Sequence, residues 1–458
     1  MTWNTQHGTH AHRRARCLRL DREHAGRAER SRGPHARAAE HPSSGGGGVS
    51  TKSTGCRVQS AGYSPASLVL AMALFIAACT SGDGSQAAYS VRDSAGIRIV
   101  ENEAPWEGAT LFQVSATPLV DIGVLEGDEV YQLFRVGGVV RLNDGRIVVA
   151  NGGTYELRFF DAEGRYLLSV GHEGDGPGEF RGLERIAVVC NSIVVFDWSL
   201  GRLSVFDFEG NYVRSARVQG EHTSPLGAFA NGRWLFTAGF SFVPSPVSKV
   251  VRDTTLFVIV GPDGVVTDTV GRFPRVEFFV VGDARQARAH SLLYGRTTLQ
   301  AVSGNTAYIG PTDRYEIFRY GVGGQLDMIV RKEHEDLVVR TADVDVEKQR
   351  MLEDAFNDDW RQTLERMFLD MPIPATMPAF DGLQVDGQGN LWVGEYRRPS
   401  DPQPRWTVFA ADGHVLGTVE TPPGLTIHQI GDDFILGTWE DEMEVEHVRL
   451  YGLDRRQE

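Results

Sequence analysis

The chain has 458 residues, of which 41% are hydrophobic and 23% are charged, and its 52 glycines favour a globular fold with many turns. The formal net charge is -14, and after Ala78 there are 35 basic residues against 56 acidic ones. A domain this acidic repels the phosphate backbone, which excludes DNA and RNA as expected partners.

The first 78 residues divide into two segments. Residues 1–48 carry nine arginines and show no apolar periodicity, so we interpret them as a mis-called upstream extension or a disordered basic arm. Residues 49–78 end in an apolar run at 68–78. This run is too short to span a bilayer and is typical of a secretory signal peptide, which predicts export.

The sequence IAAC at positions 76–79 resembles a bacterial lipobox. This resemblance implies cleavage before Cys79 and lipidation of its thiol, which would anchor the protein to a membrane of the cell envelope. Thr80 rather than an aspartate follows the cysteine, and the resemblance then favours the outer membrane. Residues 79–95 begin with small and polar side chains and are predicted to form a flexible tether.

A short turn followed by an apolar strand recurs six times in the rest of the chain. The copies lie at 143–151, 190–197, 230–239, 302–310, 387–395 and 431–439. A second turn and strand follow each copy, such as FDAEGRYLLSV at 160–170, so the repeats predict six blades of antiparallel sheet. Cys190 lies in an apolar run of the second copy and is expected to be a packed core thiol.

The last pair of repeats is cut short by the end of the chain, which would leave one blade without its outer strand. Residues 119–134 align with residues 167–180, which follow the first copy, but have no hairpin partner of their own. We therefore expect this N-terminal strand to close the last blade.

The glycine-rich segment at residues 171–180 is interpreted as a crossover between blades. It lacks the Lys-Ser/Thr of a phosphate loop and the spacing of a calcium loop.

The segment GHEGDGPGEF before a strand, the turn NDGRIVVAN and the Phe-Asp-x-x-Gly turns resemble the NHL-type six-bladed β-propellers, and more closely the six-bladed propeller lipoproteins of bacteria. The resemblance implies an all-β fold over residues 96–458.

Two breaks interrupt the pattern of repeats. Residues 275–295 are expected to form an extended connection, and residues 341–370 a short helical insertion with one apolar stripe, which would be a brace or a lid.

In propellers of this kind, ligands usually meet the loops that follow the second strand of each blade around the central channel. The resemblance therefore places a predicted ligand-binding ring at Asn151, Asp197, Trp198, Asp313, Arg314, Glu395, Arg397, Trp439 and Glu440. Acids, arginines and aromatic rings together suit a polar, planar or sugar-like ligand. The alternative is that these side chains cap turns or pair with one another.

The function predicted from these features is that of a ligand-binding or scaffolding module in the cell envelope, with a protein, peptide or glycan partner and no cofactor. The alternative is a calcium-dependent lactonase, lyase or similar hydrolase with Asp197, Asp313 and Glu395 as Ca²⁺ ligands. The sequence has neither the His or Cys spacing of a zinc site nor a Gly-x-Ser-x-Gly motif, so no motif favours an enzyme. Whether the protein is a catalyst stays open. If these three carboxylates lie together around one ion, the enzyme is favoured over the binding module.

Overall fold

The computed structural model describes residues 89–103, 112–220, 224–239, 249–281 and 288–455. The predicted extension, the signal peptide, Cys79 and the tether up to residue 88 lie outside the described residues. The described chain begins with four strands: β1 Tyr89–Ser94, β2 Ile97–Asn102, β3 Phe112–Val114 and β4 Val120–Ile122. A single 3₁₀ turn, Glu129–Tyr131, follows them.

Blades one and two are four-stranded antiparallel sheets in which consecutive strands are neighbours. Blade one consists of β5 Val136–Arg141, β6 Ile147–Asn151, β7 Glu156–Phe160 and β8 Tyr166–Val170. Blade two consists of β9 Leu183–Val189, β10 Ser192–Asp197, β11 Arg202–Phe206 and β12 Tyr212–Arg217. In both blades the second and third strands are almost fully buried, because neighbouring blades cover both of their faces.

Blades three and four carry additional strands. The strands of this region are β13 Ser224–Ala228, β14 Trp234–Ala238, β15 Lys249–Val251, β16 Thr254–Val260, β17 Val266–Pro274, β18 Phe278–Val281, β19 Arg288–Ser291, β20 Thr298–Ser303, β21 Thr306–Pro311, β22 Glu316–Gly321 and β23 Leu326–Lys332. Blade three is β13-β14-β16-β17, and blade four contains β20 to β23. The predicted connection at 275–295 contributes β18 and β19 to a separate sheet with β15.

The insertion predicted at 341–370 is present but consists of two helices, α1 Thr341–Glu353 and α2 Asp358–Asp370. The expectation of one continuous stripe was wrong, because Asn357 begins α2 with its side-chain oxygen accepting the Trp360 N–H at 2.8 Å. Phe356 therefore lies in the break and is 78% exposed, whereas Leu364 and Met367 are buried. No helix in the described part of the chain is long and apolar enough to cross a bilayer.

Blades five and six complete the ring. Their strands are β24 Phe380–Val385, β25 Leu391–Glu395, β26 Arg405–Phe409, β27 Val415–Glu420, β28 Thr426–Ile430, β29 Phe434–Glu440 and β30 Glu446–Arg455. The inner strands β5, β9, β13, β20, β24 and β28 contact one another in this order, and β28 meets β5. The predicted closure is confirmed, since β3 and β4 pair antiparallel with β30 and supply the missing outer strand of blade six.

The N-terminal hairpin lies where a tether was expected. Residues 89–94 of the predicted tether form β1, which pairs with β2, and β2 pairs in parallel with β23 at the outer edge of blade four. The side chain of Asn102 ties this hairpin to blade five. Its amide donates to the carbonyl of Gly413 at 3.0 Å, and its oxygen accepts the Val415 N–H at 2.9 Å. The tether is therefore shorter than predicted, because a distant strand edge was available for pairing.

The core is divided among the interfaces between blades. Six clusters of buried apolar side chains each join two neighbouring blades, and a seventh lies beneath the helices. The indoles of Trp234 and Trp392 are among the largest fully buried side chains. This arrangement follows from blades that are apolar on both faces, since each face has to be covered by the next blade.

The glycine-rich segment at 171–180 joins β8 to β9, as predicted. Phe180 is fully buried, and a Cβ on Gly171 would lie 2.5 Å from its ring. Gly171 also has a φ of 92°, which glycine adopts without strain. The guanidinium of Arg202 donates to the carbonyls of Gly176 and Glu179 at 2.8 and 2.5 Å. The segment is therefore a crossover held by backbone contacts.

The expected core position of Cys190 was wrong. The residue is exposed in the two-residue turn between β9 and β10, with a φ of 54°, and its sulfur lies 3.4 Å from the carbonyl oxygen of Ala230. The apolar run that suggested burial is two strands separated by this turn, so the side chain at the turn points out of the core.

Candidate functional site

The predicted ring residues all lie at the end of the second strand of a blade or within three residues after it. Because the strands of a blade are antiparallel, the second strands end on the side of the ring where one blade connects to the next. The same side carries β15, which lies in the loop after the second strand of blade three. It also carries β18, β19 and both helices, which lie in connections between blades. We call this side the connection face.

Asn151 and Asp197 lie inside the connection face and have no exposed surface. The Asn151 side-chain oxygen accepts the Phe134 N–H at 2.8 Å. The Asp197 carboxylate accepts the N–H groups of Arg181 and Leu200 at 2.7 and 2.9 Å. Both side chains therefore hold the loop that enters their own blade, and Asp197 also holds the turn after β10, because buried backbone donors need an acceptor. This burial corrects their predicted place at the mouth of the channel.

Asp313 forms a two-point ion pair with Arg252, with nitrogen-to-oxygen distances of 2.6 and 2.8 Å. This hydrogen-bonded pair lowers the pKa of the Asp313 carboxyl, against the effect of burial. The next residue, Arg314, lines a cavity of about 780 Å³ on blade four together with Lys332. Asp313 thus links blade four to the segment at β15, while Arg314 stays available to solvent.

Glu395 is paired with a buried lysine. The Nζ of Lys332 lies 3.5 Å from the Glu395 carboxylate, and the Thr407 hydroxyl donates to the same oxygen at 3.0 Å. The lysine side chain is 10% exposed, and burial lowers its pKa. Its Nζ also lies 5.0 Å from the centre of the Tyr315 ring. Glu395 therefore balances a charge between blades four and five.

Trp439 packs within blade six. The guanidinium carbon of Arg449 lies 3.4 Å from the centre of its ring, and Arg449 also pairs with Asp121 at 2.9 Å. The ring of His447 meets the indole edge-on at 5.7 Å. Trp439 thus joins β29 and β30 to the N-terminal closing strand. Glu440 is exposed at the end of β29.

The alternative calcium ligands Asp197, Asp313 and Glu395 are not brought together. Each carboxylate already has the protein partners given above. Among the described residues, no group of three or more His, Cys, Asp or Glu side chains is placed to hold a metal ion.

Trp198 differs from Trp439, the other predicted aromatic residue, because it is 64% exposed. Its backbone N–H donates to the Gly182 carbonyl at 3.0 Å, and a Cβ on Gly182 would lie 2.4 Å from the indole nitrogen. Glycine at position 182 thus leaves room for the indole. Trp198 borders a cleft of about 620 Å³ between blades two and three, which we call the Trp198 cleft. The described lining residues include Ser199, Leu200, Arg217, Ser224, Thr237, Thr255 and Arg275.

The charge of the Trp198 cleft is opposite to that of the domain. The described residues that line it include two arginines and no acid. Arg217 is exposed and forms no ion pair with any residue that the structure describes. Burial lowers the pKa of Arg275, which is the expected effect on a cation held partly away from water. The described lining of the cleft is therefore positively charged.

A second cleft, of about 550 Å³, lies beside α1 and the loop after β25. We call it the Asp381 cleft. Of the predicted ring, only Arg397 lines it, together with Tyr294, Glu347, Asp381 and Tyr396. Arg217, Arg275 and Asp381 were not predicted, because they lie at the ends of outer strands or at the start of an inner strand, whereas the prediction considered only the ends of second strands.

Burial raises the pKa of the Asp381 carboxyl to about 6, with Arg397 opposing and Glu395 adding to the shift. Because this value lies above the ordinary 3.8, the group favours the folded state at low pH, and that contribution is lost as the pH rises through about 6. We expect Asp381→Asn to be more stable than the parent at about pH 7.5, with a gain that shrinks towards about pH 4. Thermal midpoints of both proteins across this range test it; an equal difference at every pH would contradict it.

Comparison with known proteins agrees with this architecture. Residues 125–237 match the model of the family DUF5128, which is described as a 6-bladed beta-propeller. The chain is therefore a six-bladed β-propeller protein. No curated protein matches the sequence.

Three solved structures illustrate the likeness. A putative exported protein from Bacteroides fragilis is 12% identical, with a TM-score of 0.44, and the match covers 78% of this chain and 100% of that chain. A member of the DUF4221 family from Bacteroides vulgatus is 10% identical, with a TM-score of 0.45 and coverages of 75% and 99%. A virginiamycin B lyase from Staphylococcus aureus is 8% identical, with a TM-score of 0.35 and coverages of 75% and 99%. At these values the likeness is no evidence of a shared function.

Proposed function

We propose that the propeller is a ligand-binding module of the cell envelope, and that the Trp198 cleft holds its ligand. The observation that carries this proposal is the exposed indole of Trp198 beside two arginines, with no acid among the described lining residues. A large exposed aromatic ring at a cleft offers an apolar face to a ligand. Two arginines in the lining of a cleft suit an anionic partner, in a protein whose net charge is -14.

The ligand that fits these groups best is an acidic glycan. The flat indole offers a stacking surface for a sugar ring, and the arginines match a carboxylate or sulfate group. Hydroxyl groups suited to a sugar line the same cleft: Ser199, Ser224, Thr237 and Thr255. A peptide would place apolar side chains in the cleft, and only a few lining residues, such as Leu200 and Val218, would meet them.

Titration calorimetry with oligogalacturonate and with a neutral oligosaccharide of the same length tests this function. We expect the acidic oligosaccharide to bind, and Trp198→Ala and Arg217→Ala each to weaken it by roughly tenfold or more, which is about 1.4 kcal/mol. The effect of Arg217→Ala should fall with added salt, because the charges are close to solvent.

Arg272→Ala is the matched control, since Arg272 is an exposed arginine of β17 that does not line the cleft. Equal affinity for the neutral sugar, or unchanged binding by Trp198→Ala, would contradict the glycan proposal. Tight binding of an acidic peptide such as oligoglutamate instead would move the ligand class to peptides.

The cellular location is part of the same proposal. The lipobox-like sequence before Cys79 supports an exported protein that is lipid-anchored, with the outer membrane favoured by Thr80. Tyr89, where β1 begins, is ten positions after Cys79. A chain of that length reaches at most about 35 Å, so the propeller would stay close to the membrane surface.

We expect Cys79→Ser to abolish labelling of the full chain with radioactive palmitate in a bacterial host and to release it from the membrane fraction. Cys56→Ser is the control, because Cys56 precedes the predicted cleavage point. Unchanged labelling of the Cys79→Ser variant would contradict the anchor and leave the binding proposal intact.

A further inference from the structure

The Asp381 cleft shares no described lining residue with the Trp198 cleft, and it has a different charge pattern. It lies between α1, the segment after β19 and the loop that follows β25. Its described lining combines acids, arginines, two tyrosines and a short apolar wall that includes Leu293 and Met351. A volume of about 550 Å³ suits a small molecule rather than a polymer.

Asp381 faces this cleft because of a β-bulge. The pairing of β24 with β25 passes from Phe380 to Gly382, so Asp381 is the extra, unpaired residue. A bulge re-aims a side chain, and here it leaves the carboxyl exposed to the cleft. The glycine at position 394 provides the room, since a Cβ there would lie 2.5 Å from the Asp381 Oδ1. Within the described residues, the carboxylate forms no ion pair and accepts no side-chain hydrogen bond.

Two tyrosine rings line the same cleft as this carboxylate. The rings of Tyr294 and Tyr396 meet at an angle of 69° with their centres 6.5 Å apart. Tyr294 is held in place, since its hydroxyl donates to the Asp343 carbonyl at 2.7 Å. Aromatic faces next to a carboxylate form an environment that attracts an organic cation, because the ring faces carry negative partial charge.

Most of the other charges around the cleft are already balanced. Arg350 pairs with Glu347 at 2.5 Å, and Arg398 pairs with Asp343 at 2.5 Å. Arg397 instead donates to backbone carbonyls, including that of Pro402 at 3.0 Å. Two acids and one arginine of the lining, Asp381, Asp401 and Arg397, are therefore without a charged partner at contact distance among the described residues. Of the two acids, Asp401 accepts the Gln403 N–H at 3.2 Å, which occupies one of its carboxylate oxygens.

We propose that the Asp381 cleft binds a zwitterionic amine of the amino-acid type. The ammonium group lies against Asp381 and the two tyrosine rings, the carboxylate meets Arg397, and the side chain of the ligand packs on Leu293 and Met351. This site is additional to the glycan site and does not depend on it.

The electrostatics of Asp381 support a functional role. Burial raises the pKa of this carboxyl, so its charged form lowers the stability of the folded protein at neutral pH. Arg397, Glu395 and Tyr396 act on Asp381 electrostatically. The other charged or titratable groups that line the cleft are Tyr294 from the segment after β19, Glu347 and Arg350 from α1, and Arg398 and Asp401 from the loop after β25. An ammonium ligand would offset this cost. An uncompensated carboxylate in a cleft is typical of a binding or catalytic site.

The test uses L-leucine, leucinamide and N-acetyl-leucine as probes in titration calorimetry of the soluble domain. Leucine carries an ammonium and a carboxylate group, leucinamide carries only the ammonium group, and N-acetyl-leucine carries only the carboxylate group. We expect leucine to bind at least tenfold more tightly than either analogue at about pH 7.5, and its affinity to fall below about pH 6 as Asp381 takes up a proton. If leucine does not bind, the other common amino acids are tested in the same way.

Asp381→Asn is expected to lower the affinity for leucine at least tenfold while the variant stays folded, because it removes a destabilising charge. The matched control is Asp401→Asn, which removes one charge from the same cleft and should change the affinity less than threefold. Trp198→Ala should leave the affinity for leucine unchanged. A failure of the amino-acid proposal can therefore be distinguished from a failure of the glycan proposal. The proposal is overturned if no amino acid binds at about 10 mM, or if leucine and N-acetyl-leucine bind equally.

Discussion

Replacing Asp386 with alanine is expected to lower the free energy of unfolding by about 3–5 kcal/mol. Asp386 is 1% exposed and holds the inner turn of blade five. Its carboxylate accepts the Trp392 indole N–H at 3.1 Å and pairs with Arg455 at 2.8 Å, and Arg455 lies near the C-terminal end of β30. The substitution leaves a buried indole donor and a largely buried guanidinium without their acceptor. Urea unfolding followed by tryptophan fluorescence measures the loss.

Asp207→Ala is the matched control, because Asp207 and Asp386 make the same local turn. Each accepts the backbone N–H groups two and four residues later, and each bonds the side-chain amide of the asparagine four residues later. Asp207 has neither the indole nor the arginine as a partner. We expect the control to cost about 1 kcal/mol. Equal losses in the two variants would show that the turn alone carries the effect.

Replacing Ile122 with alanine is expected to cost about 2–5 kcal/mol and to weaken the closure of the ring. Ile122 is 1% exposed, pairs with Val448 in the ladder between β4 and β30, and belongs to the cluster that joins blades six and one. A loosened β4 would uncover the edge of β30, which can then pair with another chain. We therefore also expect association at high protein concentration, measured by light scattering.

Val91→Ala is the control for closure, because Val91 belongs to β1 and is 48% exposed. β1 lies at the outside of blade four and closes nothing, so the expected change is within about 0.5 kcal/mol. If both variants lost the same stability, the N-terminal strands would contribute only general packing, and the closing role of β4 would be wrong.

The six blades and their closure could be predicted from the sequence, because both depend on local patterns. Turn residues such as those at 143–146 and 387–390, followed by alternating or continuous apolar residues, define each hairpin within about ten positions. The last repeat lacks its outer strand, and residues 119–134 contain an additional strand without a partner. The sequence therefore indicated that this strand completes the last blade. The helical insertion was also predicted within its observed limits, although the stop at Asn357 was missed.

The tertiary structure decided which residues are available for function. Asn151 and Asp197 look like surface groups in the sequence, but they are buried acceptors for loops of the neighbouring segment. The parallel attachment of β2 to β23 joins residues more than 200 positions apart, and no local pattern specifies it.

By itself, the sequence determined the fold and the number of blades, because hydrophobic periodicity and turn chemistry act over short stretches of chain. For the same reason an N-terminal targeting pattern was enough to predict export. The two clefts were decided only by the tertiary structure. Their lining residues come from several loops, and a bulge in β24 turns Asp381 into one of them. Charge balance and burial at such a site depend on distances between remote residues, which exist only after the blades have closed into a ring.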